Sequence, residues 1–192
     1  MRTTSQPGGR APSFPIVALT GFMAAGKSTV GRLLAAQLNW RFVDLDYEIE
    51  ARTKLSIHEI FAAQGEPAFR QIECDALRSI LENASAPTVI ALGGGTFVQS
   101  PNAALLRRHQ AHVVFLELDV LELLQRCRAA RERSAHNPRP LAADSEAFCS
   151  LYAERLPSYR KAELTVNTHR KSAERVSREI AVALHLLPPK RP

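Results

Sequence analysis

Cysteine is scarce in this chain: Cys74, Cys127 and Cys149 form an odd set with no C-x-x-C pair. That excludes a disulfide framework and a zinc knuckle, and leaves three reduced thiols in or near a core. Aromatic residues are only 6% of the 192, too few to suggest a base-stacking platform, and the lone Trp40 ends a helical segment where it anchors packing. Long apolar runs are missing too. None approaches the ~18–20 residues that span a bilayer, and the first 15 residues lack the apolar stretch of a secretory signal. The expectation is a cytoplasmic protein with no membrane partner.

What is present fits one globular domain. The chain is 45% hydrophobic and 23% charged, and a domain of this length buries about 70% of its unfolded surface. The net charge of +6 suits nucleic acid, membrane surface or phosphorylated small molecules alike and does not choose among them. With no recognition motif beside the charge, a nucleic-acid partner is set aside. Residues 1–13, with Pro7, Gly8, Gly9 and Pro12 and two arginines but no acid, read as a flexible arm. Residues 187–192 (Leu187-Pro-Pro-Lys-Arg-Pro192) read as a tail after a helical pattern in which Val176, Ile180 and Leu184 recur. Residues 14–186 form the body.

Short β-favouring runs alternate there with longer helical ones. Strands are expected at Ile16–Thr20, Arg41–Asp44, Thr88–Leu92, His112–Glu117 and Leu164–Asn167, and helices include 28–38, 55–63, 68–81 and 120–131. Strand, helix, strand in repetition means parallel strands joined by crossover helices, because parallel neighbours cannot be linked by a tight turn. The class is α/β, with ligands expected at the carboxyl ends of the strands.

Directly after the first strand comes Gly21-Phe-Met-Ala-Ala-Gly26-Lys27-Ser28-Thr29, which fits G-x-x-x-x-G-K-[ST] and runs into a helical pattern. Such a loop turns backbone N–H groups towards phosphate oxygens, and the helix amino terminus adds positive potential. Ala24, Ala25, Gly26, Lys27, Ser28 and Thr29 are thus the candidate nucleoside-triphosphate-binding residues, with Lys27 at the β- and γ-phosphates and the Ser28 hydroxyl a Mg²⁺ ligand. The loop establishes nucleoside triphosphate binding but leaves the acceptor open. Asp44 and Asp46 end the second strand, where a period of two would put both carboxylates on one face. One could hold Mg²⁺ or its waters and the other an acceptor hydroxyl or its proton; the alternative is a solvated strand end with an aspartate capping the next helix.

Several motifs then line up in an order that resembles the shikimate kinases: GFMAAGKST, Asp44-Leu-Asp46, Phe69-Arg70 with Glu73, Gly93-Gly94-Gly95, Arg139-Pro140-Leu141 and Glu154-Arg155-Leu-Pro-Ser-Tyr159. The resemblance covers roughly residues 14–186. It implies a P-loop kinase fold, a five-stranded parallel sheet with helices on both faces and a mobile lid over about 126–141. It also implies ATP-dependent phosphorylation of the 3-hydroxyl of shikimate, a step towards chorismate, by a monomer. Carried over by motif, Ser28 and Asp44 resemble the Mg²⁺ site, and Asp46 the group that holds the shikimate hydroxyls and takes the proton. Arg70 and Arg155 resemble the pair that clamps the substrate carboxylate, Gly94 and Gly95 the backbone wall of that pocket, and Arg139 the lid arginine reaching ATP.

Read without the resemblance, Arg70 is equally a helix-surface charge paired with Glu73 at i+3, and Arg155 a solvated charge on a helix. Ala24 departs from the family, which usually has glycine there, and Asn167 stands near a position often held by aspartate. Arg131 and Arg133 read as charges of a solvated loop. The rival readings are another small-molecule kinase of this fold, such as a gluconate kinase, and a catalytically silent binding protein.

Overall fold

The computed structural model describes residues 14–133 and 144–188, with 131–133 given by their backbone alone. Five parallel strands, β1 (Ile16–Thr20), β2 (Arg41–Asp44), β3 (Thr88–Ala91), β4 (His112–Glu117) and β5 (Leu164–Asn167), stand in the order β2-β3-β1-β4-β5. The five strands expected from the sequence are all there, the third ending one residue early at Ala91. Of the lid expected over about 126–141, residues 126–133 continue a helix, so Arg131 and Arg133 stand on helical backbone rather than in a loop; the rest of the lid, the arm at 1–13 and most of the tail lie outside the described residues.

Alternation along β1 explains why helices are needed on both faces. Val17 and Leu19 enter one apolar cluster with Val30 and Leu34 of α1 (Lys27–Leu38), Leu123 and Cys127 of α5 (Val120–Arg133), Phe148 and Tyr159 of α6 (Ser145–Tyr159), and Val176 and Ile180 of α7 (Ala173–Ala183). Ile16 and Ala18 enter the other, with Leu45 and Ile49 of α2 (Leu45–Thr53), Ile60, Phe69 and Leu77 of α3 (Ile57–Glu82), and Leu106 of α4 (Ser100–Arg108). A strand buried on both sides is apolar along nearly its whole length, and all five residues of β1 are buried, with Thr20 at its carboxyl end the one polar side chain. Trp40 packs against the first cluster, as its position after a helix suggested.

Local chemistry sets the boundaries. Ser56 and Glu59 form a reciprocal capping box that starts α3, and Asp144 and Ser172 accept first-turn N–H groups of α6 and α7. The two helical segments expected at 55–63 and 68–81 are the halves of α3, broken at Gly65. Two causes act together there. Gly65 sits at φ 77°, ψ 175°, a region open in practice only to glycine, and Pro67 brings no N–H to the turn. The rings of Phe61 and Phe69, 4.4 Å apart, pack across the break. The bend aims the second half of α3, with Arg70 and Glu73, along the carboxyl edge of the sheet. No helix among the described residues is long and apolar enough to cross a membrane.

Gly65→Ala tests the cause of the bend. A methyl there would meet nothing closer than 3.8 Å, so steric room is not the issue, and the cost is the backbone conformation alone. Denaturant titration is expected to show a loss of about 1–3 kcal/mol; an unchanged midpoint would mean that the bend does not need glycine.

Candidate active site

The carboxyl ends of β1, β2 and β3 lie side by side, and the loops that leave them build one crevice. After β1 the chain wraps through Gly21–Gly26, with Gly26 at φ 91° as the residue before α1. Ala24 also takes a left-handed conformation, at φ 61°, so the alanine that replaces the family's usual glycine keeps a backbone shape that costs an L-residue about 1–2 kcal/mol. The Lys27 ammonium donates to the carbonyl oxygens of Gly21 and Phe22 at 2.9 and 3.0 Å, folding back over its own loop. The Ser28 hydroxyl donates to Asp44 at 2.6 Å. Thr29 follows on the exposed side of the first turn of α1.

The acid pair converges, but not as a period of two along a strand. β2 ends at Asp44, which caps α2 by accepting from the Tyr47 N–H, and Asp46 lies in the first helical turn. The change from strand to helix, rather than strand alternation, brings the Asp46 carboxylate into the crevice; Asp44 is the helix cap that one reading expected, and its other oxygen accepts from Ser28. A methyl on Gly93 would lie 2.8 Å from Asp46 Oδ1 and 2.9 Å from Thr96 Oγ1, so only glycine leaves Asp46 its place. Burial pushes the Asp46 carboxyl up to about 6 from the ordinary 3.8; Lys27 draws it down, and Asp44, Glu73 and Glu50 push it further up.

Arg70 makes the i+3 pair with Glu73 that its spacing suggested, at 3.0 Å, and a second with Glu66 at 2.8 Å. It is nonetheless no surface charge. Glu73 is 1% exposed and accepts from the Thr96 hydroxyl at 2.6 Å, and both guanidinium NH groups of Arg70 lie 2.8 Å from where a Gly95 methyl would stand. Burial works against the Arg70 charge, but Glu73 and Glu66 more than offset it, so the group stays cationic. Arg155, from α6, lies over the Phe22 ring at 5.9 Å and approaches Gly94, whose Cα side faces the Arg155 Nη1 at 3.9 Å from a built methyl. The two arginines thus flank successive residues of one glycine loop.

Lys27, Ser28, Asp44, Asp46, Arg70, Gly94, Gly95 and Arg155 therefore gather at one edge of the sheet. Arg139 lies outside the described residues, as do the side chains of Arg131 and Arg133. Sequence reasoning gave no role to Thr96, which holds Glu73, or to Tyr159, whose hydroxyl donates to the Gly94 carbonyl. The signal for Tyr159 was available: it stands four residues after Arg155, on the same side of one helix.

Comparison with known proteins agrees with this geometry. A family profile described as shikimate kinase matches residues 23–185. The shikimate kinase of Geobacter metallireducens is 43% identical over 167 residues, covering 85% of this chain and 88% of that protein. That of Moorella thermoacetica is 39% identical over 171 residues, covering 88% and 93%. Among solved structures, the shikimate kinase from Acinetobacter baumannii in complex with shikimate superposes with a TM-score of 0.79 at 32% identity, covering 93% of this chain and 97% of that one. The enzyme from Aquifex aeolicus gives 0.74 at 34% identity, covering 88% and 96%. Matched over most of its length in both sequence and backbone, the chain belongs to the shikimate kinase family.

Proposed function

We propose that the residues of this crevice divide among themselves the work of the family's reaction, ATP-dependent phosphorylation of the shikimate 3-hydroxyl to 3-phosphoshikimate and ADP. The observation that carries the assignment is the shared glycine loop: Asp46 stands against Gly93, Arg155 beside Gly94 and Arg70 against Gly95. One ligand can then meet an acid at one end and two guanidiniums at the other. Shikimate has that polarity, hydroxyls opposite a carboxylate, whereas gluconate lacks the ring that would fix the distance between them. Two guanidiniums hold a carboxylate through paired hydrogen bonds more selectively than an ammonium does.

The phosphates of ATP are assigned to the loop 21–29, where Ala24, Gly26 and Thr29 offer backbone N–H groups, Ala25 closes the turn by donating to the Phe22 carbonyl at 3.3 Å, and Lys27 leaves its two carbonyl partners for the β- and γ-phosphates. The juxtaposed Ser28 hydroxyl and Asp44 carboxylate suit Mg²⁺, a hard cation that prefers oxygen ligands. Among the described residues no group of three or more His, Cys, Asp or Glu side chains converges as metal ligands, so the protein supplies few ligands and the nucleotide the rest. Mg²⁺ there would neutralise charge on the phosphates. The shikimate 3-hydroxyl oxygen attacks the γ-phosphorus in line, the bond to the β,γ-bridging oxygen breaks, and the hydroxyl proton passes to Asp46. A carboxyl with a pKa near 6 is ionised at neutral pH yet basic enough to take that proton. Arg139 and the rest of the lid are assigned to covering the nucleotide. In this reading the enzyme works as a cytoplasmic monomer.

Coupled ADP release with shikimate, with gluconate and with no acceptor tests the proposal directly. Turnover is expected with shikimate alone, and equal turnover with gluconate would return the rival kinases to the front. Arg70→Ala and Arg155→Ala should each raise the shikimate KM tens- to thousands-fold, about 2–5 kcal/mol, with little change for ATP. Shikimate methyl ester should be a poor substrate for the parent and be penalised less in those variants.

Asp46→Asn should separate stability from activity. Because the folded pKa of about 6 lies above the ordinary 3.8, the folded protein holds this proton more tightly than the unfolded one. Stability is therefore lost as the pH rises from about 4 through 6, when a half-buried carboxylate must ionise. Asparagine avoids that cost, so the ligand-free variant should be more stable than the parent at pH 8 by about 1–3 kcal/mol, with the gap closing near pH 4, while turnover collapses. A variant less stable at pH 8 would mean that Asp46 does not ionise against a cost.

A further inference from the structure

Tyr159 is the largest fully buried side chain among the described residues, yet its one polar atom is not spent on the core. The ring stacks on Phe115 at 5.2 Å between centroids, and the hydroxyl crosses to the crevice to donate to the Gly94 carbonyl oxygen. Burial pushes the phenol up to about 12, against a lowering by Arg155, so it remains protonated and a donor throughout the working range.

The bond falls at a particular peptide. In a trans peptide the C=O and the following N–H point in opposite directions. Fixing the Gly94 carbonyl on Tyr159 therefore turns the Gly95 N–H away from the core, and that N–H has no hydrogen-bond partner among the described residues. The same peptide lies between the two guanidiniums, Arg155 beside Gly94 and Arg70 against Gly95. Two glycines in succession are the least restrained backbone a loop can have, so without an anchor this peptide would be free to turn its N–H elsewhere. Thr96 N–H bonding back to Gly93 closes the loop around the peptide but does not set its plane.

We propose that Tyr159 is a positioning residue for substrate binding: by holding the Gly94 carbonyl it presents the Gly95 N–H as a third donor to the carboxylate clamped by Arg70 and Arg155. The inference rests on the reading of this crevice as the shikimate site. α6 then serves the site twice, with Arg155 meeting the ligand and Tyr159, one turn later, setting the wall behind it. The interaction is made to the ground-state carboxylate, far from the transferred phosphoryl group, so its loss should appear in the shikimate KM rather than in kcat.

Tyr159→Phe keeps the stacked ring and removes only the donor. Its shikimate KM is expected to rise about tenfold, the loss of one hydrogen bond to a partly buried acceptor, with the ATP KM and kcat within about twofold of the parent. Discrimination between shikimate and its methyl ester should narrow, which a general loosening of the fold would not produce. Phe115→Leu, which disturbs the same ring stack without touching the loop, should lower the melting temperature and leave the shikimate KM unchanged. If Tyr159→Phe does not fold, 4-aminophenylalanine at 159, which keeps a donor, should hold the parental KM, and 4-methylphenylalanine should not. An unchanged shikimate KM in Tyr159→Phe, or parallel rises for both substrates, would overturn the assignment. A parent that phosphorylates no shikimate at all would overturn the underlying reading as well.

Discussion

Three acids act on a fourth at the carboxyl edge of this sheet. Asp46, partly withdrawn from water, is pushed towards neutrality by Asp44, Glu50 and Glu73, and Lys27 alone is drawn into the balance on the other side. Each of these carboxylates is held by something specific: Asp44 by Ser28, Glu73 by Thr96 and Arg70, and Glu50 by the N–H of Ile57. The crevice is therefore an ordered repulsion. On the proposed reading, a substrate carrying its own negative charge meets the loop's N–H groups and the two arginines while the acids are tied back, and Lys27 exchanges its bonds to the Gly21 and Phe22 carbonyls for the ligand. Remove the ties and the acids would compete with the ligand for the same cations.

Glycine keeps that order at short range. At Gly93 and Gly95 the side chains of Asp46 and Arg70 occupy the space a β-carbon would need. The triple glycine is thus less a flexible hinge than a surface cleared of side chains so that an acid and a cation can come within contact distance of backbone.

Much of this was legible in the residues. The phosphate loop, the strand order of appearance and the break between the halves of α3 follow from local signals: glycine spacing, apolar runs, and the Gly65–Pro67 pair. The ordered motifs also pointed to Arg70, Arg155 and Asp46. What failed was the local path of the chain. Asp46 was expected on a strand, because Arg41–Asp46 alternates plausibly, but Asp44 is a better helix cap than a strand residue and the helix begins there. α2 and α4 went unproposed: the first is short and charged, and the second is announced only by Pro101 in its first turn. The tie from Tyr159 to Gly94 spans 65 residues, so helical spacing puts Tyr159 on the same side as Arg155 without naming its partner.

The packing of α1 against α7 carries a consequence for how the chain is made. Val30 and Leu34 of the first helix share a cluster with Val176 and Ile180 of the last, so the helix that bears the phosphate loop lacks its cover until residues beyond 173 have left the ribosome. The nucleotide-binding half of the site is synthesised first, and Arg155 and Tyr159 arrive only near the end. An amino-terminal unit that settled while the rest was still being translated would leave this apolar helix face without the shelter that α7 gives it in the finished domain.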